Sequence, residues 1–332
     1  MKIGVVGLGY WGPNLVRNFL STEGIRGVVC YDMQEKHLQR IKKRFPSVEL
    51  AQSFEDLLKD PEVEAVSVVT PVSTHYLLGI KVLEAGKHLL MEKPMARTVS
   101  EAEDMVERAQ KKGLVLMVDH TFVYTGAVRK IKEVIDRGEI GDILYMDSVR
   151  VNLGLFQHDV NVVWDLAPHD LSIMDYLIKQ RPTAVSAVGV DHYNSGEDTA
   201  YLTVHFGKKL LAHFHVNWLS PVKIRRILLA GSKQMIVYDD MESSEKVKIY
   251  NKGVNIKDED TVYATLVQYR MGDMYAPQVP QTEALSLLIQ EFIECIKSDK
   301  RPITDGHAGL NVVRILGAAE KSLRSRGSIV EL

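Results

Sequence analysis

Lys93 lies in the tripeptide Glu92-Lys93-Pro94, and Asp165 and His169 lie four apart in Trp164-Asp165-Leu166-Ala167-Pro168-His169. Lysine and imidazole can each take a proton from a hydroxyl near neutral pH. A carboxylate beside an imidazole fixes its tautomer and raises its basicity. A spacing of four puts Asp165 and His169 on one face if the segment is helical. Alone, each run has an ordinary explanation: a solvated loop lysine, and a helix start capped by Asp165 with His169 merely packed.

They do not stand alone. Gly7-Leu8-Gly9-Tyr10-Trp11-Gly12 fits G-x-G-x-x-G directly after the apolar run 3–6, with Pro13 opening a helical stretch behind it. The first glycine permits a tight turn, the second lets a pyrophosphate approach the backbone, and the third lets helix pack on strand. The N-terminus of the helix then points its free N–H groups at the phosphates. Asp32 follows about 20 residues beyond Gly12, where an acid accepts from the ribose hydroxyls and repels a 2′-phosphate. The loop residues Gly7, Gly9, Tyr10, Trp11 and Gly12, with Asp32, are therefore candidates for holding NAD. NADP is the less favoured alternative, kept open by Lys36 nearby. Thr70, Pro71, Ser73 and His75 follow the fourth predicted strand, and Glu92 and Lys93 the fifth. Ligands of doubly wound sheets bind outside the carboxyl ends of the strands, so both loops should face the cofactor. Thr70 or Ser73 could equally serve as a helix cap.

The elements that must position these residues alternate up to about residue 120. Short runs at 3–6, 28–31, 65–69, 88–91 and 114–118 are apolar throughout, as strands buried on both faces require. Helical periodicity fills 34–45, 74–84 and 100–111, and Thr98 with Glu101 has capping-box spacing. This order predicts a Rossmann-type, doubly wound parallel sheet over 1–120. Over 121–332 the pattern changes. A helix at 124–137 leads to a strand at 143–152, a helix at 166–179, and strands at 184–191, 199–206, 210–218, 226–230, 235–238 and 247–250. Helices at 283–297 and 307–324 close the chain. Short turns between strands predict an α/β domain with a large, open, mostly antiparallel sheet, whose bare face a homo-oligomer would cover.

Composition narrows the function classes. The 332 residues are 45% hydrophobic and 25% charged, with a formal net charge of −2, which argues against nucleic-acid binding. The basic run 40–44 reads as a solvated helix face. Cys30 and Cys295 are far apart and suit a reducing compartment. No stretch approaches membrane-spanning length, and the N-terminus runs straight into a strand, so a cytoplasmic protein without membrane partners is expected. His205, His213 and His215 alternate on adjacent predicted strands. A polar sheet face is the commoner reason for that pattern, and no metal site is expected.

Together the G-x-G-x-x-G loop, the E-K-P tripeptide, the D-x-x-x-H pair and the D-G-x-x-G-L stretch at 305–310 resemble the glucose–fructose oxidoreductase/inositol dehydrogenase/rhizopine-catabolism (Gfo/Idh/MocA) family over nearly the whole chain. The resemblance implies that Lys93 and His169 contact the hydroxyl being oxidised, with Asp165 nearby. It also implies dimers or tetramers built through the open sheet. Residues 10–19 and 150–169 look like the branch that oxidises C3 of UDP-linked N-acetylhexosamines or their uronic acids. In that branch an arginine at the position of Arg150 sits by the substrate and could pair with a uronate or phosphate. Trp164, His169 and Tyr275 are the other candidate substrate contacts, Tyr275 from a loop-like segment (271–281) that could close over the substrate or be a simple linker. The alternatives are an inositol or other polyol dehydrogenase, an NAD-dependent glycosidase working through transient C3 oxidation, and a cofactor-sensing regulator. The last would need none of Lys93, Asp165 and His169.

Overall fold

Strands buried on both faces must be apolar at successive positions, and those of the N-terminal sheet are. The computed structural model describes residues 1–154, 159–193, 196–256 and 267–332. The chain divides into two compact units, the first formed by residues 1–124 with 282–314, the second by 125–281 with 315–332.

In the first unit, β1 (Lys2–Val6), β2 (Gly27–Tyr31), β3 (Glu49–Leu50), β4 (Val63–Val68), β5 (His88–Met91) and β6 (Leu116–Val118) form one sheet in the order β3-β2-β1-β4-β5-β6. Every pairing is parallel. The crossovers are α1 (Gly12–Ser21), α2 (Glu35–Arg44), α3 (Phe54–Lys59), α4 (Val72–Glu84) and α5 (Val99–Lys111). Of these, β3 and α3 are too short to show in the hydrophobic pattern. The capping box that opens α5 is present, with Thr98 accepting from the Glu101 N–H and Glu101 from the Thr98 N–H. The strand order reverses between β1 and β4, so their carboxyl ends diverge and leave a crevice.

The boundary expected at residue 120 misses a return of the chain. Residues 282–314 belong to the first unit. Thr304 donates its hydroxyl to the Val118 carbonyl at 2.8 Å, and the Val118 N–H bonds back to the Thr304 carbonyl, extending the edge at β6. Arg17 on α1 pairs with Glu283, which precedes the later helix α8 (Ala284–Ser298). The division between units falls inside the last helix, α9 (Gly306–Arg324).

The second unit carries a nine-stranded sheet. Its strands are β7 (Ile143–Leu153), β8 (Ala184–Val190), β9 (Thr199–His205), β10 (Leu211–Asn217), β11 (Leu219–Gly231), β12 (Met235–Asp239), β13 (Val247–Tyr250), β16 (Met274–Tyr275) and β17 (Val330–Glu331), in the order β16-β13-β12-β11-β7-β10-β9-β8-β17. β14 (Gly253–Ile256) and β15 (Val267–Arg270) pair antiparallel in a separate two-stranded sheet. The large sheet is antiparallel except where β10 lies parallel to β7. Helix α6 (Gly126–Asp136) packs on α7 (Val162–Leu177), which packs on β7, β9 and β10. Alternation on β9 follows from this covering: Ala200, Leu202 and Val204 are fully buried, while Tyr201 is exposed. α7 begins four residues earlier than its pattern predicts, because Asn161 rather than Asp165 caps it, accepting from the Trp164 N–H at 3.2 Å. Tyr275, expected in a loop, lies in the edge strand β16 paired with Ile249 of β13.

Candidate active site

In the first unit the turn after β1 is shaped by sterics. Gly7 has φ +96°, and a Cβ there would lie 2.4 Å from the Val69 carbonyl oxygen. A Cβ on Gly12 would meet the Gly7 carbonyl at 2.2 Å, whereas one on Gly9 would meet nothing within 4 Å. The first and third glycines are thus demanded by the chain itself, and Gly9 leaves open space. Trp11, at the N-cap of α1, gives the helix no side-chain cap. Pro13 has no N–H and the Asn14 N–H bonds to the Trp11 carbonyl at 2.9 Å, so it is the glycine-loop backbone leading into α1, open at Gly9, that fits the pyrophosphate of a bound dinucleotide.

Asp32 follows β2. Its carboxylate accepts from the Leu8 N–H at 2.7 Å and the Gln34 N–H at 2.8 Å, and contacts His37 Nδ1 at 3.0 Å. Burial pushes this carboxyl up, but the two N–H groups and His37 outweigh it and hold Asp32 below the ordinary carboxylate range. A charged acid is thereby kept beside the glycine loop. The basic run 40–44 is not wholly a solvated face: Arg40 donates to the carbonyls of Leu8 at 2.6 Å and Gly9 at 3.0 Å. Lys36 is exposed, as is Tyr10 in the loop.

The loops after β4 and β5 are joined through a buried histidine. His75 Nε2 lies 2.7 Å from the Thr70 carbonyl and Nδ1 2.9 Å from the Pro94 carbonyl. Pro71 precedes α4, whose N-terminus also lacks a side-chain cap, and Ser73 is exposed in its first turn. The Thr70 hydroxyl bonds to that of Thr74 at 2.7 Å, so neither Thr70 nor Ser73 caps the helix. Glu92 accepts from the Lys93 N–H at 2.8 Å, and the Lys93–Pro94 peptide is cis.

Two residues just past β6 belong to the same sheet edge and escaped the sequence reading. Asp119 and His120 are 2% and 1% exposed. Trp11 Nε1 donates to Asp119 Oδ2 at 2.9 Å, and the Thr121 hydroxyl donates to Oδ1. Burial drives the His120 imidazole down to about 3, with the charge of Lys93 acting in the same direction. The rule that drew attention to Thr70 and Lys93, loops at carboxyl strand ends, applies equally to Asp119 and would have found them.

In the second unit Asp165 and His169 lie one turn apart on α7, both half-buried. Asp165 Oδ2 accepts from the Trp218 indole at 3.0 Å. Trp164 is 6% exposed, packed at the helix start rather than presented to solvent. Arg150 is buried as well, and its guanidinium grips Asp170 through Nε at 2.9 Å and Nη2 at 2.7 Å. An exposed arginine awaiting an anionic substrate group is thus not what β7 carries. Residues 155–158 of the stretch between Arg150 and His169 lie outside the described residues. The Tyr275 hydroxyl reaches Glu139 at 3.5 Å. His213 and His215 share the sheet face with Tyr201, whose ring stacks on His215 at 4.4 Å between centroids. Among the described residues no group of three or more His, Cys, Asp or Glu could hold a metal ion. Among them, too, no helix is long and apolar enough to cross a membrane.

Residues 1–120 match the family model described as "Oxidoreductase family, NAD-binding Rossmann fold", and residues 128–237 match "GFO/IDH/MocA C-terminal domain". The chain is similar to the scyllo-inositol 2-dehydrogenase (NADP(+)) IolW of Bacillus subtilis, at 25% identity over 99% of this chain and 96% of that one. It is equally similar to the UDP-N-acetylglucosamine 3-dehydrogenase of Acidithiobacillus ferrooxidans, at 26% identity over 96% and 95%. The solved structure of the Acidithiobacillus enzyme shares the fold at a TM-score of 0.81, covering 98% of both chains at 24% identity. The WlbA dehydrogenase of Bordetella pertussis, solved with NADH and UDP-GlcNAcA, shares it at 0.82, covering 100% of this chain and 97% of that one at 18% identity.

Proposed function

The chain belongs to the Gfo/Idh/MocA family of NAD-binding oxidoreductases, and from that membership we propose that it oxidises a ring secondary alcohol of a sugar, at C3 of a UDP-linked N-acetylhexosamine. The observation that carries the reading is the placement of Lys93 directly after β5, on the same sheet edge as the glycine loop and Asp32. The sugar assignment rests on the similarity to the Acidithiobacillus enzyme and on residues 10–19 and 150–169. Arg150 lends no support to a uronic acid over the neutral sugar, because its charge is already met by Asp170.

Bound at the glycine loop, NAD supplies the hydride acceptor. The chain's part is to hold the dinucleotide, to keep Asp32 charged against a 2′-phosphate, and to take the proton that leaves the hydroxyl. Lys93 is assigned to contact with the reacting oxygen, and His169 to act as base or as its orienting partner.

The equal similarity to an inositol dehydrogenase favours a polyol substrate as the second reading. A panel of UDP-N-acetylhexosamines, their uronic acids, inositols and free hexoses, followed by NADH absorbance, decides between the two. Turnover confined to inositols or small diols overturns the nucleotide-sugar assignment. Release of free sugar without net NADH would instead point to glycoside cleavage.

A further inference from the structure

Trp11 lies in the dinucleotide loop, yet its polar atom points at the far end of β6. Asp119 there is a buried acid, with Trp11 Nε1 donating to one carboxylate oxygen and the Thr121 hydroxyl to the other. Burial pushes the Asp119 carboxyl up, and Thr121, Trp11 and the charge of Lys93 oppose it. Placing an acid in the interior is costly, and packing alone does not call for one. What this acid does is hold the residue that stands at the N-cap of α1, between the open glycine, Gly9, and the tightly packed one, Gly12.

We propose, on the reading of the preceding subsection, that Asp119 is a positioning residue for the cofactor: its hydrogen bond to the Trp11 indole fixes the glycine loop in the form that receives a pyrophosphate. The clasp joins the turn after β1 to the end of β6, two strands beyond its neighbour β4, and so orders the loop before the ligand arrives. A preorganised loop loses less freedom on binding, and the gain appears as affinity for the part of the ligand it touches.

Calorimetric titration of the full chain with NAD, ADP-ribose and AMP tests this. Trp11→Phe keeps a ring but removes the donor. Asp119→Ala removes the acceptor, and Asp119→Asn restores an oxygen that the indole can reach. Loss of the bond should weaken NAD about three- to tenfold, the range of one net hydrogen bond. ADP-ribose, which keeps the pyrophosphate, should weaken in parallel, while AMP should change less than about twofold. The Trp11→Phe/Asp119→Ala double variant should bind NAD no worse than Asp119→Ala, and Asp119→Asn should bind like the parent. If Asp119→Ala fails to fold, Trp11→Phe and Asp119→Asn, which nearly preserve shape, carry the comparison. Trp11→Phe binding NAD as tightly as the parent overturns the clasp, as does an equal loss for AMP and NAD. A parent chain that binds no NAD overturns the functional reading along with it, so the two failures are told apart by the parent's own titration.

Discussion

Lys93 is held at its backbone before any ligand is considered, by the Glu92 carboxylate and by the His75 bridge from Thr70 to Pro94. These bonds hold the loop through backbone atoms and not through the Lys93 ammonium, so the loop is expected to keep its course when that side chain is shortened. Lys93→Met should leave NAD binding intact in a calorimetric titration and lower kcat by about 10²-fold or more, the usual contribution of a positioned acid–base group. Near-normal turnover with cofactor bound would place the chemistry elsewhere. His120 gives a second expectation, about stability. Its folded imidazole stays neutral down to about 3, while the unfolded one takes a proton below its ordinary 6.5. Between those values the unfolded state binds more protons, so stability falls as pH falls from 6.5 towards 3. His120→Asn, compared with the parent in denaturant melts across that window, should show a shallower decline. An identical pH slope in both proteins would contradict the burial argument.

At the scale of elements, Arg150 and Asp170 tie β7 to α7. The pair is buried on both sides, with side-chain exposures of 5% and 4%. Removing one partner leaves an uncompensated buried charge, which typically costs about 3–5 kcal/mol. Arg150→Met should therefore lower the melting midpoint and the denaturant midpoint strongly. If Arg150 were instead a substrate contact, the variant would keep its stability and lose affinity selectively for anionic substrates. The adjoining bond from Trp218 to Asp165 anchors the same helix to the strand end. α7 thus carries His169 on a segment fastened at two points, so an element-level loss of stability and a loss of His169 placement should appear together.

For the whole molecule, the nine-stranded sheet has one face under α7 and another that presents Tyr201, Leu211 and Val188 at 41%, 43% and 51% exposure. That face also carries His213 and His215 beside Tyr201, a mixed polar and apolar surface over which a second copy of the chain can pack. A homo-oligomer formed through this face is expected. Sedimentation velocity should find a dimer or larger species for the parent, and Tyr201→Glu with Leu211→Glu should weaken self-association about tenfold or more. A monomeric parent at micromolar concentration would count against it.

The features readable from contiguous residues were those whose physics is local. A turn that needs glycine at fixed offsets, a capping box four residues long and a run apolar at every position each declare themselves within a dozen residues. They placed the glycine loop, Asp32, the opening of α5 and Lys93 at a strand end. What the tertiary structure decided involves partners that the chain brings together only by folding. Asp119 meets Trp11 across 108 positions and Arg150 meets Asp170 across 20. Residues 282–314 rejoin the first unit after every strand of the second sheet except the edge strand β17 has been laid down. Hydrophobic periodicity says which face of an element is buried, but not which distant polar group is buried with it. The resemblance puts an arginine at position 150 beside the substrate, and only the fold sets Asp170 against its guanidinium.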